Sequence, residues 1–343
     1  MHFIHESLLA SSVRSFLKTL FAFLGAAVSL GLILLSASFL SSPYIDPFRA
    51  QLILCPDESG STDLHPNTPV ILKVGIEGII GTKGLNTELV SQCLMKATQL
   101  IKKDRIKAVL LHINSPGGTS VDSAGIYHAI QAFKATHQIP VHAFVDGMCA
   151  SGGMYIACAA DKIQATEDSV LGSVGVRLGP IFNFSTVMEK IGIGAMTITQ
   201  GKDKDNFNPF RPWKGDEGED IKNLIAETYQ QFVNVVVKSR PKLNADLLIE
   251  KLGAQIFSAR KSILLGYADA IATDYYQAVK DLRQSAMIPE NALYQVIEVT
   301  PYKSPLDTLM DTKLALFSKS LPDQLTRVET KNPLCDRVLY LID

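Results

Sequence analysis

The pattern that most constrains the fold of this chain begins near residue 70, where short apolar runs alternate with stretches of helical periodicity. Strands are predicted at 70–75, 108–114 and 141–146, and helices are predicted over 89–103 and 123–135. Strands that alternate with amphipathic helices are typical of βαβ units, in which helices cover a parallel sheet. We therefore expect an α/β domain.

The same pattern continues beyond residue 150 with further helices and short strands. A helix is predicted from about residue 151 to 160, and short strands follow at 162–166 and 173–178. A long amphipathic helix over 221–236 has apolar residues at three- and four-residue spacing. A shorter helix is predicted over 259–265. These additional helices are expected to pack on the sheet.

An apolar segment near the N-terminus predicts a membrane anchor. Residues 21–40 contain no charge and would span about 30 Å as a helix, which matches one bilayer crossing. Arg14 and Lys18 precede this segment, so the positive-inside rule predicts a cytoplasmic N-terminus and an exported domain. A cleaved signal peptide is one alternative, because residues 36–38 are small. A buried core helix is the other.

These segments divide the chain of 343 residues into five parts. Four prolines between the apolar segment and the first strand indicate a tether, and 47% hydrophobic residues are enough to form a full core. The predicted parts are a cytoplasmic N-terminus (1–20), a transmembrane signal anchor (21–40), a tether (41–68), a folded domain (69–300) and a C-terminal extension (301–343).

Charge and cysteine usage exclude several classes of function. The chain has 33 Lys and Arg against 34 Asp and Glu, so its net charge of −1 gives no general attraction for nucleic acid. Five scattered cysteines form no CxxC pair and no grouping with histidine that is typical of a metal site. We therefore expect no disulfide framework, no metal and no cofactor. Cys149 and Cys158 are predicted to be small core residues.

Two glycine-rich turns follow neighbouring predicted strands and contain the chemistry of the chain. The first is INSPGGTS at 113–120, and the second is DGMCASGG at 146–153. Ligands of open α/β sheets bind at the carboxyl ends of strands, so both turns should face one cleft. Ser151 provides a hydroxyl, and the glycines provide backbone N–H groups that could bind an oxyanion. Phosphate binding is the alternative for the first turn, but neither turn has phosphate-loop spacing or a lysine.

A serine hydroxyl needs a base, and the histidines of this chain offer no obvious one. All seven histidines precede the serine. His112 and His142 fall within apolar strands and are predicted to be structural. The histidines are His2, His5, His65, His112, His128, His137 and His142.

The alternative base is a lysine in the loop at 199–213, which contains Lys202 and Lys204. A solvated lysine has a pKa near ~10.4, so catalysis at neutral pH requires a fall of about three units, and burial can supply that shift. Asp203 and Asp205 would oppose the shift if their carboxylates approached the amine. The competing interpretation is a solvated surface lysine.

Five ordered segments resemble the signal peptide peptidase A family, membrane-bound serine proteases that share a core fold with Clp protease and with crotonases. The resemblance extends from about residue 70 to 279 and implies a Clp/crotonase-like βαβ spiral core with additional helices, preceded by an N-terminal transmembrane helix. The segments are INSPGG, DGMCASGGMYIACAADKI, SVLGSVGV, GKDKD followed by NPFRP, and SARKSILLGYADAI.

The resemblance implies a role for each matching residue. Ser151 resembles the nucleophile and Lys204 the general base, with Lys202 as the fallback. Ser173 resembles a hydroxyl that hydrogen-bonds the lysine amine. The N–H groups of Gly118 and Gly152 would form the oxyanion hole. Clp protease uses a histidine located after its nucleophile, which this chain lacks, so the lysine dyad is favoured.

The resemblance also implies an assembly and a substrate class. Relatives with one catalytic domain form rings, so we expect a homo-oligomer, an octamer by resemblance, in which serine and lysine come from adjacent protomers. The implied activity is hydrolysis of cleaved signal peptides and other short hydrophobic or unfolded polypeptides on the exported side of the inner membrane. The alternatives are a non-catalytic membrane scaffold of the same fold and a crotonase-like enzyme acting on acyl-coenzyme A.

Overall fold

The computed structural model describes residues 8–40, 49–302 and 339–340, which belong to two compact units divided after Arg49. The first unit contains the helix α1 (Leu8–Leu40). Its span Ser12–Ile33 is long and apolar enough, by length and composition, to cross a membrane, and its side chains are exposed. This span overlaps the predicted anchor at 21–40 but begins earlier.

The second unit contains the strands and the remaining helices. The strands are β1 (Ala50–Cys55), β2 (Val70–Glu77), β3 (Ile106–Ser115), β4 (Gly118–Thr119), β5 (Val141–Ala150), β6 (Lys162–Ala165), β7 (Val170–Gly172), β8 (Ile256–Ser258), β9 (Ala270–Ile271), β10 (Gln295–Pro301) and β11 (Leu339–Tyr340). The helices are α2 (Thr87–Leu100), α3 (Ser120–His137), α4 (Gly152–Ala157), α5 (Ser185–Lys190), α6 (Glu219–Ser239), α7 (Ala259–Leu265) and α8 (Tyr275–Ser285).

The described part of this unit is built on one twisted sheet with the strand order β1-β10-β2-β3-β5-β6-β9. From β10 to β9 every neighbouring pair is parallel, and β1 joins the edge antiparallel to β10. The short strand β7 pairs with the end of β5 and carries β8 on its other side. The α/β fold class predicted from the sequence is confirmed.

Helices cover both faces of the sheet, which is why its strands are apolar along their whole length. On one face Val74 and Ile113 pack in a large core beneath α2, α3, α4 and α6. On the other face Ile71 and Leu110 pack against Leu282 of α8. This second core is smaller and lies towards the amino ends of the strands.

Two segments differ from the sequence-based expectation. The strand expected at 173–178 lies earlier, at β7, because Gly172 and Ser173 have φ angles of 123° and 55° that end the extended backbone. The stretch expected to be a tether contains β1, whose register pairs Ala50 with Pro301. Proline-rich flanks hid this strand, which is stabilised by a partner almost the whole domain away.

The other predicted elements have counterparts in the structure. The strands expected at 70–75, 108–114 and 141–146 are β2, β3 and β5, and the long helix over 221–236 is α6. Gly266 ends α7 in a left-handed conformation. Parts of three predicted segments lie outside the described residues: 1–7 of the N-terminus, 41–48 of the tether, and most of the C-terminal extension after residue 302.

Candidate active site

The turn between β3 and β4 is held by backbone hydrogen bonds to Ile80. The Ile80 N–H donates to the Gly117 carbonyl at 2.9 Å, and the Thr119 N–H donates to the Ile80 carbonyl at 3.0 Å. Since successive N–H groups of an extended chain point to opposite sides, the Gly118 N–H faces away from Ile80. A Cβ on Gly118 would lie 1.9 Å from the Ile80 carbonyl oxygen, so the turn requires glycine there.

Ser151 lies at the sharp turn from β5 into α4, and its backbone is strained. Its φ and ψ angles are 52° and −116°, a conformation that non-glycine residues rarely adopt. The Ser151 N–H donates to the Gly172 carbonyl at 2.9 Å, which anchors the turn to β7. The side chain is 1% exposed, and its Oγ has no hydrogen-bond partner among the described residues. A buried hydroxyl without a partner on a strained strand-to-helix turn is typical of a nucleophile.

Gly152 brings the two glycine turns into contact. A Cβ at this position would lie 2.2 Å from Ser123 Oγ and 3.3 Å from the Gly118 backbone nitrogen. Gly152 is also the first residue of α4, where helical N–H groups have no partner within the helix. The backbones of Gly118 and Gly152 therefore meet beside Ser151, as the sequence analysis expected for an oxyanion hole.

Ser173 lies next to the residue that holds the nucleophile turn. It directly follows Gly172, whose carbonyl accepts the Ser151 N–H, and it is 3% exposed. The Ser173 N–H donates to the Gln255 carbonyl at 2.7 Å, which fixes the left-handed turn after β7. The structure therefore brings Ser151, Ser173 and the two glycines into one region of the domain.

The two candidate lysines lie elsewhere, on a long exposed segment between β7 and α6. Lys204 is exposed, and the Lys202 side chain is 93% exposed and lies 3.7 Å from Asp203 Oδ2. Within the described residues Ser151 Oγ has no hydrogen-bond partner, so a single chain does not bring either lysine to the nucleophile.

The buried histidines have structural surroundings. Burial lowers the pKa of His142 to about 4, with Lys162 acting in the same direction. His112 stacks on Phe144 and lies 3.6 Å from a Glu77 carboxylate oxygen, and burial is the main cause of its lowered pKa. Neither histidine is a partner of Ser151 Oγ.

The cysteines near the nucleophile are core residues. Cys149 and Cys158 are 0% and 2% exposed and belong to the larger core. Burial raises the pKa of Cys149 far above its usual range and that of Cys158 to about 11, so both stay as neutral thiols. Within the described residues no three His, Cys, Asp or Glu side chains are placed to hold a metal ion.

The exposed segment that contains the lysines, residues 177–215, is here called the arm. Many of its large apolar side chains are exposed, which is unusual for a chain that faces water alone. Sequence patterns did not reveal this property, because the apolar residues have no single period. The exposed residues are Ile181, Phe182, Phe184, Val187, Ile191, Ile193, Met196, Ile198 and Phe210.

One further element lies at the candidate site. The strand β11 pairs antiparallel with β4, with Tyr340 opposite Gly118 and Leu339 opposite Thr119. The other edge of β4 is already bonded to Ile80, so β11 occupies the side that the Gly118 N–H faces. The sequence analysis missed this contact, because nothing local in the C-terminal extension indicates a strand.

The fold and site together define an α/β protein with a strained, buried serine beside two glycine backbones, an arrangement typical of serine hydrolases. Residues 118–288 match the sequence model of peptidase family S49. The chain belongs to this family, as the resemblance noted from its motifs implied.

Relatives from three organisms support this assignment. A provisionally named protease of Methanocaldococcus jannaschii is 34% identical over 58% of this chain and 63% of its own length. A provisionally named signal peptide peptidase SppA of Enterococcus faecium is 31% identical over 64% of this chain and 66% of its own length. A provisionally named protease of Synechocystis is 31% identical over 65% and 74%, respectively. The chain thus spans slightly less than two thirds of the first two relatives.

A solved structure with a related outline is that of a ClpP1 point mutant from Listeria monocytogenes. It is 16% identical to this chain and aligns with a TM-score of 0.39 over 60% of this chain and 93% of its own length.

Proposed function

We propose that this chain is a membrane-anchored serine endopeptidase with a Ser/Lys dyad. Ser151 is the nucleophile, Lys204 the general base, and the N–H groups of Gly118 and Gly152 form the oxyanion hole. The observation that carries the proposal is the buried Ser151 Oγ, which has no partner within the described residues and lies on a strained turn against two glycines that tolerate no Cβ.

The chemistry assigned to these groups is acyl transfer in two steps. Ser151 Oγ attacks the carbonyl carbon of the peptide bond while the neutral amine of Lys204 accepts the hydroxyl proton. The two glycine N–H groups stabilise the negative oxygen of the tetrahedral intermediate. The protonated lysine then donates its proton to the leaving amine, and water hydrolyses the acyl-enzyme by the reverse proton transfers.

Lys204 must be neutral for this role, so its amine must leave water. An exposed lysine keeps a pKa near its free value of about 10.4. Contact with the apolar surroundings of Ser151 would lower that pKa, and a hydrogen bond from Ser173 Oγ to the neutral amine would favour the same form. The exposed position of Lys204 in one chain therefore supports a base that becomes active only after assembly.

A second copy of the chain is the proposed source of that lysine. The arm exposes apolar side chains on the same segment as Lys204, and burial of such a surface drives association between copies. In a ring, the arm of one protomer would reach the Ser151 site of its neighbour. The ring size, an octamer by resemblance, belongs to the same proposal.

The proposed substrates are short hydrophobic or unfolded polypeptides, including cleaved signal peptides. The free edge of β4 accepts an antiparallel strand, as β11 shows, so an extended peptide can lie across the oxyanion hole. The relative from Enterococcus faecium is named for signal peptides. With α1 as the anchor and Arg14 and Lys18 at its start, the domain would lie on the exported side of the inner membrane.

Hydrolysis of an apolar fluorogenic peptide by the full-length protein in detergent tests the proposal. We expect Ser151→Ala and Lys204→Ala each to lower kcat by about 10⁴-fold or more, because they remove the nucleophile and the base. Ser173→Ala should lower kcat less, since it only supports the lysine. The variants should be compared at equal protein concentration.

Lys202→Ala is the matched control, because this lysine lies two residues from Lys204 and is more exposed than any candidate base should be. Its activity should equal that of the wild type. Activity that survives Ser151→Ala would overturn the protease proposal, and activity that survives Lys204→Ala but not Lys202→Ala would reassign the base.

A further inference from the structure

We infer that Arg211 is a positioning residue for Lys204, because it binds the neighbouring Asp205 and ties the lysine loop to the start of α6. The inference rests on the proposed function, in which Lys204 is the base. Arg211 lies in the segment NPFRP, which belongs to the family resemblance but has no role in the dyad.

The Arg211 guanidinium joins two acidic residues on either side of it. Its Nε donates to Asp205 Oδ2, and its Nη2 donates to the Asp205 backbone carbonyl, both at 2.5 Å. Its Nη1 and Nη2 donate to the two carboxylate oxygens of Glu217 at 2.7 and 3.0 Å. This paired geometry is specific to the planar guanidinium, and a lysine could not reproduce it.

Glu217 extends the same network to the backbone of the loop. It accepts the N–H groups of Phe207 and Lys214, and its side chain is only 2% exposed. Hydrogen bonds with Arg211 are the main reason that the pKa of Glu217 falls to about 2. Such a buried, fully bonded carboxylate is unusual on an arm whose other side chains mostly face solvent.

The network holds a strained loop on both sides of Lys204. Asp203 and Phe207 have φ angles of 60° and 57°, left-handed values that non-glycine residues adopt only when their surroundings impose them. The Phe207 ring stands edge-on to Trp213, and it would collide with a Cβ on Gly218, the residue before α6. The loop therefore has one defined shape that presents Lys204.

The network also controls the charge beside the base. Asp205 Oδ2 is bonded to Arg211 and Oδ1 accepts from Asn208 at 2.7 Å, so both carboxylate oxygens are engaged. A carboxylate released from Arg211 would stabilise the charged form of the adjacent Lys204 amine and raise its pKa. Arg211 thereby removes the obstacle that the flanking aspartate presents to a neutral lysine.

Other charged groups face this part of the arm and act on the same amine. Asp203 lies beside Lys202 rather than Arg211, so it is unchanged by substitution of the arginine. The charged residues that line the adjoining cavity are Lys202, Asp203, Lys214, Asp216, Glu217, Glu219 and Asp220. Since Asp205 is the carboxylate next to Lys204 that Arg211 compensates, the effect of the arginine is separable by substitution at Asp205.

The test is the pH profile of kcat for full-length Arg211→Met. We expect kcat to fall by about tenfold to hundredfold, the cost of a misplaced catalytic group. Catalysis requires neutral lysine, so the acid limb of the profile rises through the lysine pKa. A raised pKa should therefore move that limb about one unit to higher pH. Adding Asp205→Asn to Arg211→Met should move the limb back towards the wild-type position.

Arg260→Met is the matched control, because Arg260 pairs with Glu167 at an exposed site on α7. It should leave kcat, KM and the pH profile unchanged. If Arg211→Met does not fold, as judged by its melting temperature against the control, Arg211→Lys replaces it. That variant keeps the charge and should show a smaller loss of kcat with a limb closer to the wild type.

An unchanged limb in a folded Arg211 variant would overturn the positioning role. Loss of activity with an unshifted limb in Arg211→Met and no recovery in the double variant would also overturn it, because a merely structural effect behaves in that way. Failure of the proposed function is separate, since it appears as activity in Lys204→Ala irrespective of Arg211.

Discussion

A single methyl group at Gly152 would collide with the hydroxyl of Ser123, which makes this contact a test of the candidate site at the scale of one residue. We expect Gly152→Ala to lower kcat by about 10²-fold or more, because the Cβ would lie 2.2 Å from Ser123 Oγ and displace an oxyanion donor. The double variant Gly152→Ala with Ser123→Ala should regain part of the activity. Peptide hydrolysis and melting temperatures of all variants provide the measurement.

Ser123→Ala alone is the control for this experiment. It loses one hydrogen bond, from Ser123 Oγ to the Thr119 carbonyl at 2.8 Å, so it should stay close to wild type in activity and lose about 1 kcal/mol of stability. A double variant no more active than Gly152→Ala would show that collision with Ser123 is not the cause of the loss.

Sequence could predict the residues of the site that lie in continuous motifs, and not those that meet them from a distance. Ser151 and Gly118 were recognisable because glycine turns at the ends of strands are local patterns. Ser123 and Ile80 were not, because their contacts depend on how α3 and the loop after β2 pack. Arg211 was quoted within a motif, but its partners became visible only through the folded arm.

At the scale of elements, the pairing of β11 with β4 predicts competition between the chain and its substrates. Proline has no N–H to donate, so Tyr340→Pro should weaken this pairing. We expect the KM for a peptide substrate to fall about fivefold, equivalent to about 1 kcal/mol for one lost hydrogen bond, with kcat unchanged. Steady-state kinetics of the full-length protein would measure this.

Tyr340→Ala serves as the comparison, because it keeps the backbone N–H while shortening the side chain. A KM unchanged in Tyr340→Pro would contradict the competition. An equal fall in both variants would attribute the effect to the side chain rather than to the backbone pairing.

Elements with strong periodicity were predictable from sequence, and elements held by distant partners were not. The buried strands β2, β3 and β5 have continuous apolar runs, and α6 has a clear amphipathic stripe. In contrast, β1 pairs only with β10, and the position of β7 depends on left-handed backbone at its end. Sequence windows contain no information about either constraint.

At the scale of the whole molecule, mixing two inactive variants tests whether the dyad forms between copies. Ser151→Ala keeps the lysine and Lys204→Ala keeps the serine. If each site takes one residue from each of two neighbours, mixed rings should recover up to about a quarter of wild-type activity, because heterologous contacts combine the subunits at random. The measurement is peptide hydrolysis after co-expression or after dissociation and reassembly.

Each variant alone, assembled in the same way, provides the baseline for this experiment. Recovery should appear in the oligomeric fraction after separation by size and not in monomers. A mixture as inactive as its components, despite verified mixed assemblies, would place both residues of the dyad within one chain.

The burial of Cys149 has a consequence for the compartment in which the protein would work. Oxidants and alkylating reagents attack the thiolate, and the raised pKa of Cys149 keeps it in the thiol form. A sulfur two residues from Ser151 is therefore chemically silent. The site can operate outside the reducing cytoplasm without sulfenic acid formation or disulfide exchange beside its hydroxyl, so its chemistry is independent of the redox state of its surroundings.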